Sequence, residues 1–573
     1  MYGAILQTQQ KKKWQYLFSS SGEALPELDQ RAMKSLSELK GTAGLGSLIQ
    51  NVSWLALWSL LLTLLLIIHT PIETALVFSN SLILDYFTFA CQVAVLLAIA
   101  STILMNLTYF QQGRQLLFEW IILLLFSTLS MLLMVSAYDL ITLYLTIELQ
   151  SLCFYVMAAS KRDSEFSTEA GLKYFLLGAF SSGILLFGCS LIYGFTGVTN
   201  FEELAKISTG YEITLLGAQS SGIYLGIFLI AVGFLFKITA APFHMWAPDV
   251  YEGSPTSVTA LFSIVPKIAL LAVMVRIFII GFYDPRSSAS LLHVFFFCSI
   301  FSMILGSIAA MAQTKIKRLL AYSSIGHVGY LLIGLACGTS EGIQALLIGL
   351  FIYVWTTINV FAVILSTAHP SAPKGSVQLT NTASKLTALP QIKNIIKEAK
   401  LEKQVLRFSQ TSAPASTTLA HFVRQESQPF YKQFERTKHF LELPVSFIAD
   451  FGALAKTNPI LAITMAIVMF SYAGIPPLAG FYSKYYLFEA AIGCGAYLVT
   501  FIGVITSVIA CFYYIRLVKI MYFDKPQTWI LYRPINQGCA AVLAITLFLV
   551  TFFFFYPSPL FLLTHQMALN LCL

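Results

Sequence analysis

The sequence predicts an all-α polytopic membrane protein with about 13 transmembrane helices. Of its 573 residues, 57% are hydrophobic and only 11% are charged, and the mean hydropathy is +0.75. A soluble protein carries about 25% charged residues, so this deficit is typical of a membrane protein. Polar residues are also grouped in a few stretches, which divide the chain into long apolar runs.

Each apolar run is long enough to be a membrane-spanning helix. About 17 or more mostly apolar residues suffice to cross ~30 Å of hydrocarbon. Numbered 1 to 13 along the chain, the predicted spans are 53–69, 83–107, 115–136, 139–159, 171–195, 222–246, 255–282, 290–313, 318–338, 342–367, 457–492, 495–522 and 539–562.

Basic residues lie mainly in the loops after even-numbered spans. Those loops carry Arg114, Lys161, Arg162, Lys315, Lys317, Arg318, Lys519, Lys525 and Arg533. Loops after odd-numbered spans are mostly acidic, with Glu73, Glu202 and Asp284 as examples. Because Lys and Arg concentrate on the cytoplasmic or matrix side, we expect the N-terminus on that side and the C-terminus opposite.

Two hydrophilic regions lie outside the predicted bundle. Residues 1–50 form an N-terminal extension, and residues 369–450 form a basic insertion with one or two surface helices. The membrane domain is then 51–368, completed by 451–573.

Spans 3–7 and 8–12 form two blocks of five helices, the first of them at 115–282. Because five is odd, a repeated unit of this size must have inverted topology. The fourth span of each block is broken by proline, at Pro242 in span 6 and at Pro476 and Pro477 in span 11. Inverted repeats with paired broken helices are typical of transporters, whose binding sites lie at the breaks.

Within the predicted spans, five ionisable residues are expected at similar depth in apolar surroundings: Glu148, Lys237, Lys267, His327 and Lys484. A charge at mid-bilayer costs roughly 2.5–3.5 kcal/mol on insertion scales, so such residues are candidates for a proton path. We expect Glu148 and Lys237 to form a pair whose separation changes the protonation of both. For Glu148 and Lys237, a fixed structural ion pair is the alternative.

The other three residues are expected to continue the path. Lys267 lies far from either end of span 7, where desolvation favours the neutral amine that a relay requires. For Lys484, snorkelling to the membrane surface is the alternative. For His327, an ordinary hydrogen-bonding role is equally compatible with the sequence.

No cofactor motif accompanies these residues. The nine cysteines are scattered without a C-x-x-C, and no G-x-G-x-x-G or P-loop is present, so we expect no metal, iron–sulfur or nucleotide site. Asp249 and Glu252 are expected in a solvated helix cap, and Arg276 as an interface anchor.

Three stretches resemble the antiporter-like membrane subunits of respiratory complex I: 137–173, 236–255 and 317–329. The resemblance extends from about residue 48 to 368 and from about 448 to the C-terminus. It implies that the family's helix-five glutamate is Glu148 and that its helix-seven and helix-eight lysines are Lys237 and Lys267. The ionisable residue of the broken twelfth helix is Lys484.

The same resemblance implies proton translocation coupled to NADH:ubiquinone oxidoreduction in the mitochondrial inner membrane. The N-terminus would lie in the matrix and the C-terminus in the intermembrane space. NADH, flavin, iron–sulfur clusters and ubiquinone would be bound by other subunits. Partners would be the other membrane-arm subunits and lipid, with no nucleic acid.

The sequence departs from the family pattern at two places. The family's first helix of 14 is absent, with residues 1–50 not replacing it, and an insertion follows the family's eleventh helix.

Two other functions are compatible with the sequence. An Mrp-type cation/proton antiporter subunit is the alternative function, since it shares the fold and charges. A scaffold subunit with inert charges is the third.

Overall fold

The structure is a computed structural model that describes residues 51–70, 74–112, 117–161, 164–208, 217–282, 287–369, 443–444, 446–452, 454–524 and 535–572. Within these ranges the chain is almost entirely helical, with two short two-stranded sheets. The predicted N-terminal extension and nearly all of the predicted 369–450 insertion lie outside the described residues.

The first half of the chain contains the first broken helix. Its elements are α1 (Asn51–His69), β1 (Ala75–Val77), β2 (Leu82–Leu84), α2 (Tyr86–Gln112), α3 (Leu117–Ser136), α4 (Leu140–Ala158), α5 (Glu165–Thr196), α6 (Phe201–Ser208), α7 (Gly217–Ile238), α8 (Trp246–Gly253) and α9 (Thr256–Arg276), the last extended by a π-helical turn, Ile277–Gly281.

The second half contains the second broken helix. Its elements are α10 (Ser287–Met311), α11 (Ile316–Cys337), α12 (Ser340–Ser366), β3 (Ala368–His369), β4 (Leu443–Pro444), a 3₁₀ turn (Ile448–Phe451), α13 (Leu454–Thr457), α14 (Pro459–Ala473), α15 (Ala479–Gly493), α16 (Tyr497–Tyr522), α17 (Gln537–Phe552) and α18 (Ser558–Cys572).

The polytopic all-α class is confirmed, but the count of 13 spans is not. In the described part of the chain, ten helices are long and apolar enough to cross a membrane, and three further apolar helices are shorter. Span 11 is two helices, α14 and α15. Predicted span 13 was wrong in extent: α17 ends at Phe552 and α18 begins at Ser558, because Pro557 and Pro559 cannot donate helical hydrogen bonds.

Helices α9 and α12 form the centre of the bundle. Both are almost wholly buried, and they pack against each other. The most extensive helix pairs are α5 with α7 and α10 with α11, one pair in each predicted repeat. The two predicted repeats therefore meet along α9 and α12, where a polar side chain of one can reach the other.

Two short strands, β3 after α12 and β4 before α13, lie side by side. Strands β3 and β4 pair antiparallel, with Ala368 opposite Pro444 and His369 opposite Leu443. This pairing holds together the two ends of the predicted insertion.

Arg276 is a buried framework residue, which corrects the expectation of an interface anchor. Its side chain is 1% exposed, and its Nη2 donates to the two carboxylate oxygens of Asp85 at 3.0 and 2.8 Å. Its Nη1 donates to the carbonyl of Val135 at 2.8 Å. These hydrogen bonds offset the cost of burying both charges. They also link the end of α9 to α3 and to the start of α2.

Candidate functional site

The first helix break follows α7 and has the geometry of a Schellman motif. The amide of Thr239 donates to the carbonyl of Phe236 at 3.2 Å, and the amide of Ala240 donates to that of Leu235 at 2.9 Å. A Schellman motif has these two hydrogen bonds and a left-handed residue just after the helix. Thr239, with a φ of 72°, is that left-handed residue. Pro242 follows three residues later and prevents α7 from continuing.

The second break, after α14, repeats this motif. Gly474 donates to the carbonyl of Ser471 at 3.0 Å, and Ile475 donates to that of Phe470 at 3.1 Å. Gly474 has a φ of 83°, and Pro477 again follows three residues later. The two breaks are therefore equivalent in backbone geometry, as expected of a repeated unit.

Lys237 lies in the last turn of α7, directly before the first break. Its Nζ is buried and has no hydrogen-bond partner in the protein, and the same holds for Oε1 of Glu148 on α4. The two residues therefore do not form the expected direct ion pair. Lys237 Nζ lies over the Tyr155 ring, 5.9 Å from its centroid.

A small cavity connects Lys237 with Lys267. It has a volume of about 30 Å³, and its lining includes Gln150 of α4, Thr239 of the break and Trp246 of α8. A cavity of this size with several polar groups can hold ordered water. The structure therefore brings these two predicted lysines to one site.

Lys267 lines this cavity and also contacts the second half of the protein. It is 2% exposed, and its Nζ donates to the hydroxyl of Tyr353 on α12 at 2.9 Å. That hydroxyl in turn donates to the carbonyl of Ser263 at 3.1 Å. Tyr353 thus joins the centre of α9 to the centre of α12.

A second cavity, of about 20 Å³, lies on the far side of Tyr353. Its lining includes Tyr353, His327 and Lys484. The His327 ring is 5.5 Å from the Tyr353 ring between centroids, and His327 Nε2 is 3.3 Å from the hydroxyl of Tyr514. The second site therefore contains the remaining two predicted residues.

Lys484 is held by the second break. It is 8% exposed, so it does not snorkel out of the chain. Its Nζ reaches back to the end of α14 and donates to the carbonyls of Tyr472 at 3.0 Å and Ala473 at 3.1 Å. These carbonyls lie at the negative end of the α14 dipole, so a cation here is favoured.

An ion-pair network holds α8, which corrects the expectation of a simple solvated cap. Asp249 is 3.1 Å from Nζ of Lys173 on α5 and 2.8 Å from Nη2 of Arg318 on α11. Glu252 pairs with Arg318 at 3.2 Å and with Lys315. The half-helix after the first break is therefore tied to helices of both predicted repeats.

Comparison with known proteins assigns the family. The NADH:quinone oxidoreductase/Mrp antiporter transmembrane family matches residues 137–396 and 436–510. NADH-ubiquinone oxidoreductase chain 2 of Marchantia polymorpha is 61% identical over 527 residues, which are 92% of this chain and 92% of that relative. The chain belongs to this family.

More distant relatives support the same family or share its fold. NADH-quinone oxidoreductase subunit N of Paramagnetospirillum magneticum is 39% identical over 511 residues, covering 89% of this chain and 90% of that protein. A chain of respiratory complex I from Thermus thermophilus matches with a TM-score of 0.65 and 26% identity, over 91% of this chain and 96% of that chain. The Mrp complex from Dietzia sp. DQ12-45-1b matches with a TM-score of 0.68 over 93% of each chain, at 17% identity, and shares the fold alone.

Two residues of the site are not apparent from the sequence. Tyr353 is one of 27 tyrosines, and Thr239 is an uncharged residue among apolar neighbours, so neither carries the signal of a charge in an apolar run. The position of Thr239 between a predicted lysine and a helix-breaking proline was the one available indication. Among the described residues, no group of three or more His, Cys, Asp or Glu could hold a metal ion.

Proposed function

We propose that this chain moves protons across the membrane as a subunit of the proton-translocating NADH:ubiquinone oxidoreductase, respiratory complex I. Its family and its relatives, which are named as subunits of this enzyme, support the assignment. The chain is then part of an enzyme without holding a redox centre. NADH, flavin, iron–sulfur clusters and ubiquinone are bound by other subunits.

One observation carries this proposal: the ionisable residues of the two halves are connected. Lys237 and Lys267 line one cavity, Lys267 bonds to Tyr353, and Tyr353 lines the next cavity with His327 and Lys484. Such a series has the groups that proton transfer requires, since each neighbour can hold a proton or pass it to water.

Glu148 and Lys237 act as the switch in this mechanism. When the carboxylate approaches Lys237, the ammonium form is favoured and the proton stays there. When the carboxylate withdraws, the buried ammonium loses that support and its proton passes through the first cavity to Lys267. From Lys267 it reaches His327 and Lys484 through Tyr353.

The location, partners and orientation of the chain follow from the same assignment. The chain is a multi-pass mitochondrial membrane protein whose partners are other complex I subunits and lipid. The basic loops support an N-terminus in the matrix and a C-terminus in the intermembrane space. We retain 115–282 as the first inverted repeat and 369–450 as an insertion. The gap in the family match lies within that insertion.

The central test replaces Lys237 with Met in the assembled complex. Lys237→Met keeps an unbranched, flexible side chain of similar size but removes the charge, so we expect NADH-driven proton pumping into proteoliposomes to be lost while the complex still assembles on a native gel. The control is Lys206→Met, because Lys206 lies on α6 with its side chain 70% exposed beside Glu202. Normal pumping by an assembled Lys237→Met complex would falsify the proposal.

A second test interrupts the path between the two halves. Tyr353→Phe keeps the ring beside His327 but removes the hydroxyl that bonds Lys267. We expect pumping to fall by about tenfold, less than a general acid or base usually contributes, because water can partly replace the hydroxyl. Tyr138→Phe, at a buried tyrosine outside both cavities, is the matched control and should pump normally.

The alternative function, a free cation/proton antiporter, is supported by the shared Mrp fold. It predicts exchange of Na⁺ or K⁺ for protons by the isolated chain in liposomes, without NADH. It also predicts that the chain does not co-migrate with NADH-oxidising activity on a native gel. If charge-removing substitutions at Glu148, Lys237, Lys267 and Lys484 all left pumping intact, the chain would be a scaffold instead.

A further inference from the structure

Thr239 has a backbone conformation that its residue type disfavours. A φ of 72° is left-handed, and a β-branched side chain adopts it rarely because its Cβ crowds the neighbouring backbone. The equivalent residue in the second break is Gly474, where the same pair of hydrogen bonds, donated by Gly474 and Ile475, forms with no side chain at the left-handed position. The backbone turn therefore does not require a threonine, and its side chain calls for another explanation.

The Thr239 side chain is buried at the cavity between Lys237 and Lys267. The residue is 2% exposed, and its Oγ1 has no hydrogen-bond partner in the protein. It lines that cavity with Lys237 and Gln150, whose Nζ and Oε1 are also buried without protein partners. Three unpartnered polar atoms around about 30 Å³ of space form a site built to bind water.

Water bound here would have a donor on one side and an acceptor on the other. The ammonium of Lys237 can only donate, and the amide oxygen of Gln150 can only accept, whereas a threonine hydroxyl does both. A hydroxyl is therefore the group of the three that can receive a proton and release another in the same step. Strained residues that persist in a fold are concentrated at functional sites, which agrees with this role.

We propose that the Thr239 hydroxyl, with water in this cavity, relays protons between Lys237 and Lys267. The proton of the Lys237 ammonium passes to water, and water passes a proton to Thr239 Oγ1. The original hydroxyl proton moves on to water and then to the neutral amine of Lys267. Each O–H or N–H bond broken is matched by one formed, so Thr239 ends unchanged and no further reactant is needed. This inference rests on the proposed function.

The test separates the hydroxyl from the backbone conformation with three variants in the assembled complex. Thr239→Ser keeps the hydroxyl, Thr239→Val keeps the shape without it, and Thr239→Gly also relieves the left-handed strain. Thr256→Val is the matched control, because Thr256 is 1% exposed with an unpartnered Oγ1 but lies outside the cavity lining.

We expect the Val and Gly variants to pump about tenfold more slowly, with Ser and the Thr256 control near wild type. The solvent deuterium isotope effect on pumping should rise in Thr239→Val but not in Thr256→Val, a change that a merely structural role would not produce. Normal pumping by Thr239→Gly or Thr239→Val, or loss in Thr239→Ser equal to that in Val, would overturn the relay.

Failure of this inference is distinguishable from failure of the proposed function. If Lys237→Met abolishes pumping while Thr239→Val pumps normally, only the hydroxyl relay is wrong. If Lys237→Met pumps normally, the proton path itself is wrong, whatever the Thr239 variants do.

Discussion

The two helix breaks have the same backbone geometry but differ in the hydrogen bonding of their lysines. Both end in the same pair of hydrogen bonds, with proline three residues after the left-handed residue. Lys237 precedes its break and has no hydrogen-bond partner for its Nζ, whereas Lys484 follows its break and donates to two carbonyls of α14. One lysine is held by the helix end, and the other is not.

This difference indicates separate roles for the two sites. A buried ammonium without a hydrogen bond depends on nearby charge, so its protonation can respond to Glu148. An ammonium bonded to the negative end of a helix is favoured as a cation by a fixed group. We infer that the first break is suited to switching, and the second to stabilising the proton that reaches Lys484.

The largest predicted effect comes from exchanging the left-handed residues. A Cβ at Gly474 would lie 3.2 Å from both Cδ and Nζ of Lys484, in addition to the strain of a positive φ. We expect Gly474→Thr to lower the stability of the protein by on the order of 2–4 kcal/mol, measured by thermal inactivation of the assembled complex.

The reciprocal substitution is the control for that prediction. Thr239→Gly relieves strain at the first break and should raise stability by up to about 1 kcal/mol, since the added freedom of the unfolded chain offsets part of the gain. Equal destabilisation by Gly474→Thr and Thr239→Gly would contradict the view that the breaks differ in this residue's role.

A smaller difference is expected when either lysine is replaced by Met. Lys484→Met leaves two buried carbonyls unbonded and should cost about 1.5–3 kcal/mol of stability. Lys237→Met removes a buried charge that makes no hydrogen bond, so stability should be unchanged or higher while pumping is lost. Thermal inactivation and proton pumping measured on the same preparations would show whether the two effects separate.

The smallest effect concerns the half-helices after the breaks. Helix α15 is held by the buried Lys484, whereas α8 is held by Asp249, whose side chain is 39% exposed. Because partly exposed ion pairs are screened, Asp249→Asn should lower stability by at most about 1 kcal/mol. Glu202→Gln, which breaks an ion pair within α6 alone, is the control and should lower stability less than Asp249→Asn when both are measured by thermal inactivation of the assembled complex.

Much of the fold could be predicted from the sequence, because the hydrophobic effect acts on runs of residues. The long apolar segments specify the polytopic class, and the prolines mark both breaks at Pro242 and Pro477. The end of α17 and the existence of α18 were not predicted, since an apolar run does not show where a chain turns at the membrane surface. The burial of Arg276 with Asp85 depends on helices distant in sequence.

The sequence by itself determined which ionisable residues interrupt the apolar spans, because a charge in hydrocarbon is costly wherever the helix packs. The tertiary structure decided which groups meet. Tyr353 reaches Lys267 only because α9 and α12 pack at the centre, and Lys484 reaches the α14 carbonyls only because the chain folds back after its break. Hydrogen bonds need specific distances and angles, which three-dimensional packing sets and residue type does not.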